Sequence, residues 1–205
     1  MKRKIIPAAH FHFLNPFYDI LCELFGFGRR MRKQIIPLMN IRGTVLDAGC
    51  GTGSLAIDVK QTHARATVTG IDADQSILDF ARKKAEKQGV MIPFRQCFLQ
   101  KLPFSDRTFD VVYSSFVFHH LTSQDKRKAL IEIKRVLKKN GIFYLIDIGR
   151  PSNFFNAFFP FFAACIEKGK ENRSGALFRM VQETFRITRV KKRLAHSVEV
   201  IEARK

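Results

Sequence analysis

The sequence predicts an α/β fold: a doubly wound, mostly parallel sheet with helices on both faces and a C-terminal antiparallel hairpin. Between residues 43 and 149, short segments rich in β-branched and aromatic residues alternate with segments of helical periodicity, which is typical of a parallel sheet. A glycine-rich loop follows the first strand-like segment. After residue 149 the alternation stops, and the tail contains two strand-like segments in succession.

Composition and charge limit the class of protein. Of the 205 residues 46% are hydrophobic and 21 are Phe, which excludes a disordered chain and suffices for one domain. The four cysteines are scattered without a CxxC pair, so we expect neither a disulfide scaffold nor a metal site. The net charge of +18 is divided as +6 in residues 1–42, +5 in 43–149 and +7 in 150–205. A polyanionic partner would therefore meet the ends of the chain.

The segment ahead of the sheet is predicted to be an amphipathic helix over residues 16–40. Asn15-Pro16 is an N-cap followed by a first-turn proline, and apolar residues then recur at helical spacing. We therefore expect a helical cap over residues 1–42. The basic start of the chain precedes an apolar stretch that Pro7 and His10 interrupt, which is not typical of a signal peptide and favours a cytoplasmic protein.

Seven strands are predicted in all. Five lie in the middle of the chain, at residues 45–47, 67–71, 91–97, 109–115 and 141–148. A helix between the last two is predicted to have Ser123 as its N-cap and to end near Gly141. Residues 152–184 are predicted to be irregularly helical. The tail, 185–204, is predicted to form the remaining two strands, which turn near Ala195.

The most informative stretch is an apolar strand that leads into three glycines at alternate positions, Gly49, Gly51 and Gly53. No Gly-Lys-Ser/Thr follows, which excludes a Walker loop. A dinucleotide fingerprint fits poorly, because its third glycine would fall at Ser54 and because Asp47 would repel a pyrophosphate. A cationic ligand, in contrast, would be attracted by Asp47.

A second acidic residue, Asp72, ends the next strand, 19 residues after Gly53. A carboxylate in that place can accept hydrogen bonds from both hydroxyls of a ribose. Together the loop and this carboxylate suit a nucleoside that has no phosphates and has a positively charged tail. S-adenosylmethionine is such a molecule, and we expect it as the cofactor.

The chain resembles the class I S-adenosylmethionine-dependent methyltransferases in four runs: VLDAGCGTGSLAIDV, TGIDADQSILDFARKKA, LPFSDRTFDVVYSSFVFHHL and ALIEIKRVLKKNGIFYLID. It is most similar to the small-molecule branch that includes the ubiquinone/menaquinone C-methyltransferases, and the resemblance covers about residues 43–149. It implies a Rossmann-like sheet and a methyltransferase domain over residues 43–205. We expect a helical substrate lid inserted in that domain at about 150–184.

The resemblance also implies which residues contact the cofactor. Asp72 would bind the ribose, and Ala73 and Ile77 would lie beside the adenine. Ser115 and Phe116 would flank the methionine part and the methyl group. The full set of expected cofactor contacts is Tyr18, Asp47, Gly49, Cys50, Gly51, Asp72, Ala73, Ile77, Phe98, Leu99, Ser115 and Phe116.

The chain departs from the family pattern in the adenine region. Where the family has Gly-Asp-Ala before its Leu-Pro-Phe, this chain has Cys97-Phe98-Leu99, so the aspartate that accepts from the adenine amino group is missing. We expect Phe98 to pack against the base instead.

Two further groups are candidates for function. His119 and His120 follow the fourth strand on the expected substrate side, so either is a candidate general base, although adjacent histidines also commonly cap or pack. The basic run at 189–193 alternates along a predicted strand, and a solvated face or a phosphate-binding face would both explain it.

The expected reaction is methyl transfer to a small or lipid-like apolar acceptor, such as a quinone-type ring, because both regions outside the resemblance are rich in Phe. The Phe-rich segment 154–162 is expected to cover the acceptor. The apolar stretch around it has 13 residues, fewer than the about 20 that cross a bilayer. The basic residues that flank it would allow a weak contact with an anionic membrane surface.

Two alternative functions stay open. The net charge of +18 would suit an RNA or protein methyltransferase. Against that alternative, the chain has no appended nucleic-acid module and no Asn-Pro-Pro-Tyr-type motif after the fourth strand, so nucleic acid is not favoured as a partner. The missing adenine-binding aspartate would suit a cofactor-binding module that has no catalytic activity.

Overall fold

Seven strands form one mixed sheet in the computed structural model, which describes residues 23, 26–148, 175–194 and 198–205. The strands are β1 (Thr44–Ala48), β2 (Thr67–Asp72), β3 (Phe94–Gln96), β4 (Phe109–Ser115), β5 (Leu137–Ile148), β6 (Ile187–Arg193) and β7 (Val198–Arg204). Their order is β3-β2-β1-β4-β5-β7-β6. The first five are parallel, and β7 pairs antiparallel with β5 and β6. The predicted fold class is therefore confirmed.

Helices cover both faces of this sheet. They are α1 (Arg29–Ile35), α2 (Ser54–Thr62), α3 (Gln75–Lys87), α4 (Ser123–Val136) and α5 (Ala176–Thr184), with 3-10 turns at Ile36–Leu38 and Phe118–His120. The first three pack on one face, which includes Val45 and Tyr113, and the last two pack on the other, which includes Leu46 and Val112. Successive strand residues thus serve two separate cores. None of the described helices is long and apolar enough to span a membrane.

Several predicted boundaries differ from the structure, and the strand predicted at 141–148 already begins at Leu137. The strand predicted at 91–97 is only Phe94–Gln96, because Pro93 offers no backbone N–H and Met91 is 90% exposed. The N-cap of α4 is Thr122 and not Ser123, since the Thr122 hydroxyl accepts from the backbone N–H of Asp125 at 3.2 Å. That helix ends at Val136, because Leu137 already pairs with β4.

The helix predicted over 16–40 is not continuous in its described part. It consists of α1 and the following 3-10 turn, and Gly26, with a φ of 78°, precedes them in a non-helical segment. The rest of that prediction, the segment 152–174 and the turn near Ala195 lie outside the described residues.

Candidate functional site

The carboxyl ends of β1, β2, β4 and β5 meet at one edge of the sheet. This edge includes the point where the chain, after adding β2 and β3 on one side of β1, crosses to add β4 on the other. In open α/β sheets such a switch point forms the crevice in which ligands bind. The glycine loop leaves β1 there, held by the backbone N–H groups of Gly49 and Cys50, which both donate to the Ile71 carbonyl at 2.8 Å.

The three glycines of the loop all have a positive φ, of 87° at Gly49, 52° at Gly51 and 74° at Gly53. A Cβ on Gly49 would lie 2.3 Å from Val117, and one on Gly53 would lie 3.0 Å from Ala81. Among the described residues, a Cβ on Gly51 would meet only Ile77, at 3.9 Å. Gly49 and Gly53 are therefore required by packing, whereas Gly51 opens onto free space.

Asp72 borders that space and is held in place by the backbone. One carboxylate oxygen accepts from the Gly51 N–H at 2.9 Å, and the other accepts from the Asp74 N–H at 3.0 Å. Burial raises the pKa of Asp72, and these hydrogen bonds oppose that effect. Each oxygen has a second lone pair, so the carboxylate can still accept from two hydroxyls.

The residues around Asp72 form the wall expected beside an adenine. Ala73 is half-buried and its carbonyl accepts from Gln96 at 2.9 Å, while Ile77 is buried in the first turn of α3. The Cys97 N–H donates to the Asp72 carbonyl at 2.9 Å, which brings the half-buried Phe98 to the same edge.

Two of the predicted contact residues have mainly packing surroundings. Leu99 is 5% exposed and belongs to the core beside α4. Cys50 is 8% exposed, its Sγ lies 3.8 Å from the Gly51 carbonyl oxygen, and burial raises the pKa of its thiol well above the usual range. Tyr18 lies outside the described residues.

Asp47 lies beneath the loop and is 1% exposed. Apart from the neighbouring Tyr113 hydroxyl, its oxygens have no hydrogen-bond partner among the described residues, and that hydroxyl has none apart from Asp47. Burial raises the pKa of Asp47 to about 8, Tyr113 lowers it in part, and the charge of Asp72 raises it further.

The end of β4 has an unusual backbone. Phe116 has a φ of 57°, which is rare for an aromatic residue, and its N–H donates to the Ile146 carbonyl at 2.9 Å. Its half-buried ring meets the edge of Phe27, with ring centroids 5.4 Å apart. Ser115, one residue earlier, is also half-buried. Strained residues of this kind are common at functional sites.

His119 forms a buried pair with a residue that the sequence analysis missed, Asp147 at the end of β5. The ring Nδ1 lies 2.8 Å from one carboxylate oxygen, and the His119 backbone N–H donates to the other at 3.2 Å. Burial alone would raise the pKa of Asp147, but His119 and the Ile148 N–H outweigh this effect and hold it below the usual range. An ionised carboxylate only accepts, so the His119 Nδ1 carries a proton and donates to Asp147.

His120 is less buried, and its ring lies against that of His119, with centroids 4.0 Å apart. The structure therefore distinguishes the two candidate bases, since Asp147 orients His119. Within the described residues, no group of three or more His, Cys, Asp or Glu could hold a metal ion.

These features together suit S-adenosylmethionine. Within the described residues, a buried carboxyl group with unfilled hydrogen-bonding capacity lies below a loop that has open space at Gly51, and an oriented carboxylate lies beside it. This sheet with this loop defines the class of S-adenosylmethionine-dependent methyltransferases.

Comparison with known proteins agrees. Residues 45–141 match a family described as "Methyltransferase domain". The demethylmenaquinone methyltransferase of Thermus thermophilus is 34% identical over 142 residues, which cover 67% of this chain and 64% of that protein. The ubiquinone/menaquinone biosynthesis C-methyltransferase of Desulfotalea psychrophila is 32% identical over 148 residues, 70% of this chain and 58% of its own length. The chain thus spans about 58–64% of the length of these relatives.

A solved S-adenosylmethionine-dependent methyltransferase from Aquifex aeolicus has the same fold, with a TM-score of 0.74 at 22% identity over 95% of this chain and 98% of that one. The chain belongs to the class I S-adenosylmethionine-dependent methyltransferases, near the ubiquinone/menaquinone C-methyltransferase branch.

Proposed function

We propose that the protein transfers a methyl group from S-adenosylmethionine to an apolar, quinone-type ring. The observation that carries the cofactor half of this proposal is the Asp72 carboxylate, fixed by two backbone N–H groups beside the open position at Gly51. The acceptor half rests on the relatives, whose names specify menaquinone or ubiquinone precursors and biosynthesis. No described feature favours an RNA or protein acceptor.

The roles that we propose for the residues combine the family resemblance with their places at the edge of the sheet. The sulfonium supplies a methyl group with an excellent leaving group, so the protein mainly aligns the reactants and excludes water, which can contribute about 7–11 kcal/mol. Asp72 binds the ribose hydroxyls, and Asp47 faces the cationic methionine part. Ser115 and Phe116 flank the methyl group at the end of β4. Phe98 packs against the adenine.

His119 accepts a proton from the acceptor in this proposal. Its Nε2 is the basic nitrogen because Nδ1 faces the ionised Asp147. Choice of acceptor is assigned to the Phe-rich regions 1–40 and 150–184, much of which lies outside the described residues. A weak contact of these basic regions with an anionic membrane surface would bring the protein to a lipid-like acceptor.

Cofactor binding is tested by thermal shift with S-adenosylmethionine and its demethylated product. Ligand at 100 times its dissociation constant should add about 2.7 kcal/mol to the free energy of unfolding. Asp72→Ala should weaken binding by about 1.5–3 kcal/mol, since charged hydrogen bonds are the stronger kind. Asp79→Ala is the matched control, because that carboxylate is 56% exposed on α3. No shift at millimolar cofactor would contradict the proposal.

The acceptor is tested with methyl-labelled cofactor supplied together with quinol-containing vesicles, an RNA pool and a protein pool. Label is expected in the lipid fraction alone. Vesicles with anionic lipid should be methylated faster than neutral ones, and high salt should remove that difference. Label in RNA or protein would contradict the proposal and show that the acceptor belongs to that class instead.

A further inference from the structure

Asp47 and Tyr113 are direct neighbours on β1 and β4. They are Cα partners in a parallel pair, so their side chains extend from the same face of the sheet. Both are buried, at 1% and 0% exposure, and within the described part of the chain their polar atoms have no hydrogen-bond partner other than each other. Buried polar groups almost always have their hydrogen-bonding capacity filled. One hydroxyl fills only part of the capacity of a carboxyl group, so this pair indicates a ligand that supplies the rest.

The pair lies next to the site of the proposed cofactor. Asp47 is close enough to Asp72 and to the Cys50 thiol for their charges to interact, and Asp72 itself binds the Gly51 N–H. Among the described residues, a Cβ on Gly51 would meet Ile77, at 3.9 Å, and Asp72 borders the same space. A ligand in the loop therefore approaches the pair from the loop side.

The groups facing Asp47 are acids or neutral donors. Asp72 faces it from β2, Cys50 from the loop and Tyr113 from β4. Behind Tyr113, the charge of Asp58 on α2 is paired with Arg32 at 2.6 Å. No unpaired cation is among these groups. Burial raises the pKa of Asp47 to about 8, so the carboxyl group holds a proton at neutral pH in the ligand-free protein.

We propose that cofactor binding releases this proton: the cationic ammonium of the methionine part enters, the Asp47 carboxyl group loses its proton to solvent, and the Tyr113 hydroxyl donates to the resulting carboxylate. Tyr113 is then a positioning residue, which acts on the cofactor through Asp47. This inference rests on the proposed function. It adds Tyr113 to the residues that act in cofactor binding, and it couples that binding to the release of one proton.

The test is calorimetric titration with S-adenosylmethionine and its demethylated product between pH 5.5 and 7.5, in two buffers of different ionisation enthalpy. The wild-type protein should release about one proton per cofactor at pH 7, and its affinity should rise by up to about tenfold per pH unit. Asp47→Asn mimics the protonated acid, so it should release none and bind with pH-independent affinity.

Tyr113→Phe keeps the ring and removes the hydroxyl. Because the hydroxyl lowers the pKa of Asp47, its loss should move proton release to higher pH. A residue with a merely structural role would leave the pH profile in place. Asp110→Asn is the control, since that carboxylate lies at the opposite edge of the sheet, bonded to Thr44 and Lys138, and should leave proton release unchanged.

The outcomes separate this inference from the proposed function. Binding without proton release, or a pH dependence that persists in Asp47→Asn, would overturn the inference alone. No binding at any pH would overturn the proposed function and this inference with it.

Discussion

Gly51 and Gly49 have backbone conformations of the same kind but different surroundings. Gly51→Ala should cost only the strain of a positive φ, about 1 kcal/mol. Gly49→Ala adds a clash with Val117 and should cost about 1–3 kcal/mol more. Gly51→Val should lower cofactor affinity by about a hundredfold or more in a folded protein, because its side chain fills ligand space.

Urea unfolding and cofactor titration of these three variants measure the two effects separately. A Gly51→Val protein that binds the cofactor normally would show that the loop is only a turn.

The pairing of His119 with Asp147 predicts a division between the two histidines. His119→Ala should lower turnover by about 10²–10⁴-fold, as expected for a lost general base, and Asp147→Asn should also lower it strongly by releasing the ring orientation. His120→Ala should lose less than tenfold. Steady-state kinetics with saturating cofactor measure this, and cofactor affinity should stay constant. If turnover falls less than tenfold in both His119→Ala and Asp147→Asn, catalysis depends on alignment of the reactants and not on a general base.

Among single functional residues, the sequence predicts those whose role is indicated by their neighbours along the chain. The glycine loop and Asp72 are recognised from spacing, and the structure places both at the switch point. Asp147 and Tyr113 were missed, because their partners are 28 and 66 residues away and depend on which strands pair. A signal was present for Asp147: a carboxylate at the end of β5 lies at the same edge as the residues after β4.

At the scale of elements, Arg135 on α4 fixes the loop that leads into β4. Its guanidinium donates to the carbonyls of Leu102 and Phe104 at 2.9 and 2.8 Å and to the carboxylate of Glu132. Arg135→Met keeps the stem but removes the donor to the two carbonyls, while Glu132 still accepts from the Leu102 N–H, so the change should cost about 1–3 kcal/mol of unfolding free energy. Urea unfolding measures this cost.

The matched control is Arg127→Met on the same helix. The Arg127 pair with Glu183 is 57% and 58% exposed, so its removal should cost less than about 1 kcal/mol. Equal costs for the two variants would show that the Arg135 network does not hold the loop.

Strand and helix prediction was most accurate where a hydrophobic pattern is continuous. β2 and β4 begin where predicted, whereas the strand at 91–97 was shortened by Pro93. For the basic run of β6, the sequence left a solvated face and a phosphate-binding face open. The surroundings of this run depend on β7, which is its partner in the sheet. Arg189 and Lys191 bind Glu202 at 3.0 and 3.1 Å, which favours an internally paired face.

For the whole molecule, Asp47 predicts an unusual pH dependence of stability. Its pKa of about 8 exceeds its ordinary 3.8, so the folded state binds more protons and the free energy of unfolding should fall as pH rises from about 4 to 8. Among the described residues, four carboxylates have lowered pKa values and act oppositely, because the protein loses their contribution to stability as pH falls through their range. They are Asp110, Glu132, Asp147 and Glu202.

The cofactor-free protein should therefore be most stable in mildly acidic solution. Urea unfolding at a series of pH values measures this, and Asp47→Asn should flatten the decline above the optimum. A stability that instead rises steadily to pH 8 would contradict the assignment of a buried, protonated Asp47.

Both outer strands of the sheet are poor templates for another molecule. β3 is three residues long, and β6 has a register shift between Val190 and Lys192 and ends in exposed cations. Long, flat and apolar edges are what allow sheets of separate molecules to join. In a chain that is 46% hydrophobic, these two edges oppose the growth of one sheet into a fibre.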